Sequence, residues 1–169
     1  AAANGGIVSD YGRLQAQGSH VCAEDGRQIT LGGMSFFWSN WAGQYYTRDV
    51  VDYLVDEFQV DIVRAAYGVT DSGPTNSVQE IRNVVEAAIA RDIYVIIDWH
   101  AHPANQYKSQ AKDFFSQMIK DYGDNPHVLY ETWNEPKQQA TSTIKSYSQE
   151  LADHIRAEEN KHGHDHKLV

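Results

Sequence analysis

The sequence lacks several features that would point to particular classes of protein. Among its 169 residues there is no run of Lys and Arg and no basic stripe interleaved with aromatics, and the formal net charge is -9. Such a chain repels polyanions, which argues against nucleic acid and anionic lipid as partners. No apolar run reaches the ~20 residues that a membrane-spanning helix needs. The opening AAANGG has neither the charged nor the apolar region of a secretory signal, so a signal was removed or never present.

Cysteine is scarce, and the glycine motif of nucleotide-binding turns is missing. Cys22 is the only cysteine, so no intrachain disulfide can form, and we interpret it as a structural thiol. The segment GRQITLGGM at 26–34 does not have the G-x-G-x-x-G spacing of a dinucleotide-binding turn. The chain is nevertheless 41% hydrophobic and 22% charged, which is typical of a globular domain with a buried core.

What the chain does contain is an alternation of strand-like and helix-like segments. Short apolar, β-prone runs predict strands at 29–37, 61–67, 93–99 and 128–133, with a fifth beginning at 167–169. Apolar residues recurring at helical spacing predict helices over 47–58, 77–91, 109–122 and 142–158. Thr47 and Ser77 are candidate N-caps, and Ser77 to Glu80 has the form of a capping box. Near the start, Asp25-Gly26 predicts the turn of a hairpin that plugs or flanks the sheet.

This strand and helix rhythm predicts an α/β fold. Repeated βαβ units require parallel strands that are buried on both faces. A doubly wound sheet and a (β/α)8 barrel both fit the pattern, and the missing dinucleotide turn favours the barrel. Because a complete barrel typically needs ~250 residues, we expect the N-terminal half of a (β/α)8 TIM barrel with a short N-terminal β-hairpin. Residues 1–169 would then form a single incomplete domain with strands one to four and the start of strand five.

Polar side chains gather where the predicted strands end. In parallel α/β folds the chemistry lies at the carboxyl ends of the strands. The polar residues on or near that rim are Arg64, Asp98, His100, His102, Asn134 and Glu135. Polar groups inside apolar strands cost several kcal/mol unless they have partners, so these residues predict either ion pairs or a function.

Two charged side chains on this rim carry specific expectations. Pro136 is expected to hold Glu135 in an extended conformation and to end the strand there, with the carboxylate either solvated or working as an acid. Arg64 stays charged when buried and would hold a carboxylate ionised, unless it only fixes register in a buried ion pair. Glu131 shares the parity of Glu135, and we interpret it as a structural residue that needs a partner.

The histidines raise a metal site as an alternative. His100 and His102 are two residues apart on a strand and therefore on one side of it, as in some metal hydrolases, although such a site needs further ligands. The competing interpretation is that His100 hydrogen-bonds within the rim and His102 lies in the loop. The segment HGHDH at 162–166 also has a metal-binding composition, and we interpret it as a solvated loop at the opposite face.

Aromatic residues follow the same strand ends. Trp38 and Trp41 come after the first strand, and Tyr67 ends the second. Flat apolar faces with polar edges suit the CH-rich faces of sugar rings, so these residues indicate carbohydrate binding. Trp99 and Trp133 fit core positions equally well.

Six segments, taken together and in order, resemble the secreted endoglucanases of glycoside hydrolase family five. They are GGMSFFWSNWAG at 32–43, VRAAYGV at 63–69, DIYVIIDWHAH at 92–102, AKDFF at 111–115, YGDNPHVLYETWNEP at 122–136 and IKSYSQELADHIRA at 144–157. The resemblance implies a secreted (β/α)8 catalytic domain that binds β-glucan polysaccharide or oligosaccharide. It implies cleavage of internal β-1,4-glucosidic bonds with retention of configuration, without a metal or an organic cofactor.

The resemblance also implies roles for individual residues. Glu135 matches the general acid/base, and Asn134 matches the residue that binds the sugar hydroxyl beside the nucleophile. Arg64 matches the arginine that orients the nucleophile. His100 matches the histidine of the glycone site, and Trp41 matches an aromatic sugar platform. The residues expected to contact the substrate are Trp38, Trp41, Tyr67 and His102.

Two departures from the family pattern limit these expectations. Phe37 stands where a histidine is often found after the first strand, which removes one expected substrate contact. The nucleophile of the family is a Glu on strand seven, which this sequence does not reach, so we expect the isolated chain to be inactive or nearly so. Its open strand edges would favour association with a complementary C-terminal half or with another copy. Two further hypotheses stay open: a carbohydrate-binding or assembly fragment without turnover, and a metal-dependent hydrolase using His100 and His102.

Overall fold

A computed structural model describes residues 6–74 and 77–169, so all of the AAANGG opening except its last glycine lies outside the described residues. The strands are β1 (Gln15–Gln17), β2 (His20–Cys22), β3 (Gly33–Ser35), β4 (Ile62–Thr70), β5 (Gly73–Pro74), β6 (Tyr94–Ala101) and β7 (Val128–Glu131). The helices are α1 (Ile7–Tyr11), α2 (Ser39–Ala42), α3 (Arg48–Phe58), α4 (Gln79–Ala90), α5 (Lys108–Tyr122) and α6 (Thr141–His162). Two 3-10 turns lie at Gly43–Tyr45 and Ala104–Tyr107.

The main sheet is parallel, in the order β3-β4-β6-β7, and β5 folds back antiparallel onto β4. A long helix follows each parallel strand: α3, α4, α5 and α6 in turn. This is the predicted βα alternation. Residues 167–169, where a fifth strand was expected to begin, have no strand assignment. They do lie beside β7, because Tyr130 N donates a hydrogen bond to Leu168 O at 3.0 Å.

Alternation along the strands divides the core in two. On the helix side, β6 buries Val95, Ile97 and Trp99 in the main hydrophobic core. On the other side, Tyr94 packs in a smaller cluster with Val8 of α1 and other apolar side chains that include Leu14. The hydroxyl of Tyr94 also donates to the carbonyl of Gly12 at 2.7 Å. The N-terminal segment therefore covers the amino end of the sheet face that points away from the helices. Polar residues occupy the carboxyl end of the same face.

The predicted hairpin around Asp25-Gly26 is present. Ala23 N donates to Arg27 O at 2.8 Å, Gly26 has φ of 88°, and Cys22 and Gln28 form an antiparallel bridge. A further antiparallel pair, β1 with β2, precedes it and was not predicted. Ile29 N donates to Val21 O, so the start of the predicted first strand belongs to the hairpin and β3 is shorter than predicted.

One of the two predicted helix caps forms. The Thr47 side chain accepts a hydrogen bond from Val50 N at the start of α3, as expected. Helix α4 begins one residue later than a Ser77 cap requires, and the Ser77 hydroxyl instead bonds Gln79 N at 3.3 Å and Glu80 Oε2 at 2.7 Å, so the capping box is wrong. Among the helices of the described residues, none combines the length and the apolar character needed to span a membrane.

Gly68 lets helix α2 approach the end of β4. A Cβ at this position would lie 2.0 Å from Asn40 Oδ1, and Gly68 N already donates to Ser39 Oγ at 3.0 Å. Gly68→Ala is therefore expected to destabilise the chain by about 1–3 kcal/mol and to displace the loop that carries the rim aromatics. Urea unfolding measures the loss. Gly32→Ala is the control, because its Cβ would meet only Asp61 Oδ2 at 3.8 Å; equal losses would contradict the packing argument.

Candidate active site

Arg64 is the hub of the polar cluster on the sheet. Its Nε and Nη2 donate to the two carboxylate oxygens of Glu131 at 2.8 and 2.6 Å, a bidentate pair that fixes the guanidinium plane. Nη2 also lies 2.9 Å from Asp98 Oδ2 and 3.0 Å from Asn134 Oδ1. Parallel pairing sets Asp98 directly opposite Glu131, which brings both carboxylates to one guanidinium. Glu131 thus has the partner that the sequence predicted it to need.

The cluster holds two carboxylates against one guanidinium. Burial works against the charge on Arg64, but its hydrogen bond to Glu131 and the charges of Asp98 and Glu131 outweigh burial and raise the Arg64 pKa. Asp98 has no exposed surface, and burial raises its pKa to about 6, with the charge of Glu131 adding to the effect and His100 and Arg64 opposing it. Asp98 Oδ1 has no hydrogen-bond partner within the described part of the chain. Asp98 therefore takes up a proton more readily than an exposed aspartate does.

The raised pKa of Asp98 gives a stability prediction with a definite sign. Because its pKa is about 6 in the folded chain and 3.8 in the reference state, the folded state holds this proton more tightly, so the group's contribution to stability falls as pH rises from about 4 to about 6. Asp98→Asn should lose this contribution. We expect the stability of the wild type relative to the variant to fall by on the order of 2 kcal/mol across that range. Urea unfolding at pH 4 and pH 7 tests it; a constant difference would contradict the assignment.

Both rim histidines have protein partners. His100 Nδ1 lies 2.5 Å from Asp98 Oδ2, and His102 Nε2, in the turn after β6, lies 3.1 Å from Glu135 Oε2. The two rings pack edge-on against Trp38, with centroid distances of 4.4 and 5.0 Å. His100 thus hydrogen-bonds within the rim and His102 lies in the loop, as the non-metal interpretation expected.

The metal-hydrolase alternative gains no support from this arrangement. It needs at least a third ligand beside His100 and His102. Across residues 6–74 and 77–169, no group of three or more His, Cys, Asp or Glu side chains is arranged to hold a metal ion. The segment 162–166 starts at the last residue of α6 and runs into coil.

Glu135 stands at the rim with 68% of its side chain exposed and one carboxylate oxygen against His102. We predicted an extended backbone at Glu135 because Pro136 follows it, and this prediction is wrong. The φ of Glu135 is 47°, in the left-handed region. The pre-proline clash disfavours the right-handed helical region but does not select among the other conformations. A positive φ at a non-glycine residue is a local conformational cost, and the chain also accepts it at Gln59, Asp92 and Lys137. The carboxylate is neither buried nor closed into a salt bridge with Arg64.

An aromatic groove adjoins the two histidines. Trp41 is 60% exposed and Phe37 is 62% exposed, and their ring centroids lie 5.9 Å apart. Trp38 is 5.0 Å from Trp41. The groove has a volume of about 250 Å³. Its walls are Trp38, Trp41, Val69, Thr70, Asp71, His102 and Pro103.

Tyr67 is a correction to the predicted substrate-binding set. Its ring is buried and stacks on Phe114 of α5 at 4.8 Å with an interplanar angle of 10°. Side chains alternate along a strand, so Tyr67 faces the helices whereas Arg64 faces the polar cluster. Trp99 lies in the same core, and Trp133 is buried with its indole N–H donating to His102 O at 2.9 Å.

Comparison with known proteins identifies the family to which this constellation belongs. The profile of Cellulase (glycosyl hydrolase family 5) matches residues 22–165. The chain belongs to glycosyl hydrolase family 5. It is 41% identical over 153 residues to Endoglucanase Z of Dickeya dadantii, covering 85% of this chain and 36% of that protein. It is 35% identical over 164 residues to an endoglucanase of Clostridium saccharobutylicum, covering 92% of this chain and 37% of that protein.

Solved family 5 structures have the same fold. The catalytic domain of Thermobifida fusca endoglucanase Cel5A (E5) superimposes with a TM-score of 0.83 at 31% identity, covering 92% of this chain and 53% of that one. A substituted form of that domain was solved in complex with cellotetraose. The predicted α/β fold, part of a (β/α)8 barrel, is confirmed. The chain spans roughly a third of the length of the curated relatives named above and about half of the solved catalytic domain.

Asp98 is a residue of the cluster to which the sequence analysis gave a place on the rim but no role. Asp98 joins Arg64 and His100 through a single oxygen, Oδ2. The available signal was an acidic residue within an otherwise apolar strand, VIIDWHAH at 95–102, whose parity it shares with His100.

Proposed function

We propose that the chain is part of an endo-β-1,4-glucanase that hydrolyses internal bonds of β-glucan with retention of configuration. One observation carries the proposal: the exposed carboxylate of Glu135 lies 3.1 Å from His102, which is also a wall of the aromatic groove. A sugar chain stacked on Trp41 would therefore run beside a carboxyl group. The cellotetraose complex of the Thermobifida fusca domain supports a β-1,4-linked glucan as the substrate.

Glu135 is the proposed general acid/base. Its exposed carboxyl group can reach a glycosidic oxygen above the rim, donate a proton to it as the bond breaks, and then remove a proton from the water that releases the sugar. Retention requires a second carboxylate about 5–5.5 Å away, to attack the anomeric carbon. We assign no residue of this chain to that role.

Arg64 and Asn134 act together in this proposal. A guanidinium only donates, so the Asn134 atom at 3.0 Å from Arg64 must be the amide oxygen. The Nδ2 donors of Asn134 then remain as the groups that it can offer to a sugar hydroxyl. Arg64, held by Glu131 and Asp98, presents a fixed positive charge beside the position where a nucleophilic carboxylate would sit.

We propose further that the chain is one incomplete catalytic domain that works only in a completed barrel. Gly33, Met34 and Ser35 of β3 are exposed, and within the described residues β3 pairs with β4 alone. An open strand edge of this kind favours pairing with a complementary C-terminal half or with another copy. Because a polymeric substrate does not enter cells, the proposed site of action is extracellular.

A fusion protein tests the activity. The C-terminal part of the catalytic domain of Endoglucanase Z, joined after Val169, would supply the remaining strands. We expect the fusion to release reducing ends from carboxymethylcellulose and to give β-configured products when they are observed by NMR immediately after cleavage. The unfused chain should release none. A folded but inactive fusion, or α-configured products, would refute the proposed activity.

A binding role without turnover is the second candidate, and the groove favours it. Its walls include Trp38, Trp41 and His102 of the described chain, which are side chains that can bind a sugar and that need take no part in bond cleavage. The same fusion separates the two functions. Cellotetraose binding by a folded fusion that never cleaves polysaccharide, with chelators and added metals without effect, would select the binding role.

A further inference from the structure

The buried carboxylate of Asp98 serves two donors through one atom. Oδ2 lies 2.9 Å from Arg64 Nη2 and 2.5 Å from His100 Nδ1. Arg64 can only donate a hydrogen bond, so Oδ2 is an acceptor. Its other oxygen, Oδ1, is buried and has no partner among residues 6–74 and 77–169.

This geometry determines where the protons lie. While the Asp98 carboxyl group is ionised, both of its oxygens can only accept, so Nδ1 of His100 must carry its own hydrogen in order to bond Oδ2. Burial raises the Asp98 pKa to about 6, so the donor direction is fixed above that pH, where the carboxyl group is ionised.

We propose that Asp98 is a positioning residue that holds His100 as the Nδ1–H tautomer, so that Nε2 of the neutral ring accepts a hydrogen bond from a glucan hydroxyl. This rests on the proposed function for the identity of the sugar. The orientation has independent support, because the His100 ring is 8% exposed and packs edge-on against Trp38 at 4.4 Å. Asp98 sets the proton and Trp38 restrains the ring.

A second Asp–His pair provides a comparison at the other end of the sheet. Asp92 precedes β6 and His127 precedes β7, with Asp92 Oδ1 and His127 Nε2 2.9 Å apart. There the histidine bonds through the opposite ring nitrogen. The two pairs therefore predict opposite tautomers in one molecule, which gives an internal comparison.

Nitrogen NMR of the histidine rings tests the proposal on the chain itself. At pH 8 the wild type should show His100 with a protonated Nδ1 and an unprotonated Nε2, and His127 with the reverse. Asp98→Leu removes the acceptor but leaves Arg64 paired with Glu131, and His100 should then lose its Nδ1–H signal. Asp98→Asn can still present an oxygen to both donors and should retain it. Asp92→Asn is the control and should leave His100 unchanged.

Cellotetraose titration links the tautomer to recognition. Loss of the directed hydrogen bond should weaken binding by up to about tenfold in Asp98→Leu, with Asp98→Asn close to the wild type. An Nε2–H tautomer in the wild type, or an unchanged tautomer in Asp98→Leu, overturns the proposal. If the wild type shows the Nδ1–H tautomer but binds no cellotetraose, the positioning by Asp98 stands and the proposed sugar-binding function is what fails.

Discussion

Glu135→Gln is expected to lower the hydrolysis of carboxymethylcellulose by about 10²–10⁴-fold in the completed barrel. Gln has nearly the same shape but cannot give a proton to the departing oxygen, so the leaving group would have to depart as an alkoxide. The side chain is 68% exposed, so the fold should tolerate the change. The rate of reducing-end release, compared at equal concentrations of folded protein, measures the effect.

Two comparisons sharpen this prediction. A cellooligosaccharide with a dinitrophenyl leaving group needs little protonation, so the first chemical step of Glu135→Gln should be impaired much less on that substrate. Glu57→Gln changes an exposed carboxyl group on α3, outside the proposed site, and should leave the rate unchanged. Wild-type activity of Glu135→Gln on the polysaccharide would remove Glu135 from the role of acid.

Arg64→Met is expected to destabilise the chain by about 3–5 kcal/mol near neutral pH. The substitution leaves the carboxylates of Asp98 and Glu131 without the guanidinium that both contact at 2.9 Å or less. Domains of this size have total stabilities of about 5–15 kcal/mol, so much of the folded population could be lost. Lowering the pH should reduce the difference from the wild type, because protonation discharges the unpaired carboxylates. Urea unfolding followed by circular dichroism measures both effects.

Arg48→Met provides the matched control. Arg48 is also paired with a carboxylate, Asp52 at 3.4 Å, but its side chain is 66% exposed. Solvent screening limits such pairs, and we expect a loss of less than about 1 kcal/mol. Equal losses in Arg48→Met and Arg64→Met would mean that the buried cluster does not stabilise this fold in the way described.

The order of strands and helices was predictable from the sequence because apolar periodicity reports burial directly. The helix starting after Thr47 was correct to the residue, since a threonine hydroxyl accepting from Val50 N is a local interaction. The length of β3 was not predictable. Ile29 fits a strand, yet it pairs with Val21 of the hairpin, and a choice between two partners depends on tertiary structure. The failed capping box at Ser77 has the same local ambiguity, because its hydroxyl can bond either Gln79 N or a helix donor further along.

The sequence was sufficient to select most residues of the candidate site, but not to predict their contacts and backbone conformations. Strand-end reasoning selected Arg64, His100 and Asn134, and the structure joins them through Arg64 and Asp98. Arg64 is the third residue of β4 rather than near its end, because β4 extends to Thr70. Tyr67 was misplaced although period-two alternation from Arg64 already sets it on the helix face. The left-handed backbone of Glu135 could not be read from Pro136, because sterics exclude one region without selecting another.

The central claim is that the carboxyl ends of these strands form a glucan-binding rim, with Glu135 beside the sugar. Its most direct test is a titration of the chain, labelled with ¹⁵N at tryptophan, with cellotetraose. The indole signals of Trp38 and Trp41 should shift with a single affinity, while that of Trp99, which is 1% exposed and lies among the helix-side core residues, should not move. Unchanged Trp38 and Trp41 signals at saturating cellotetraose, or an equal response at Trp99, would contradict it.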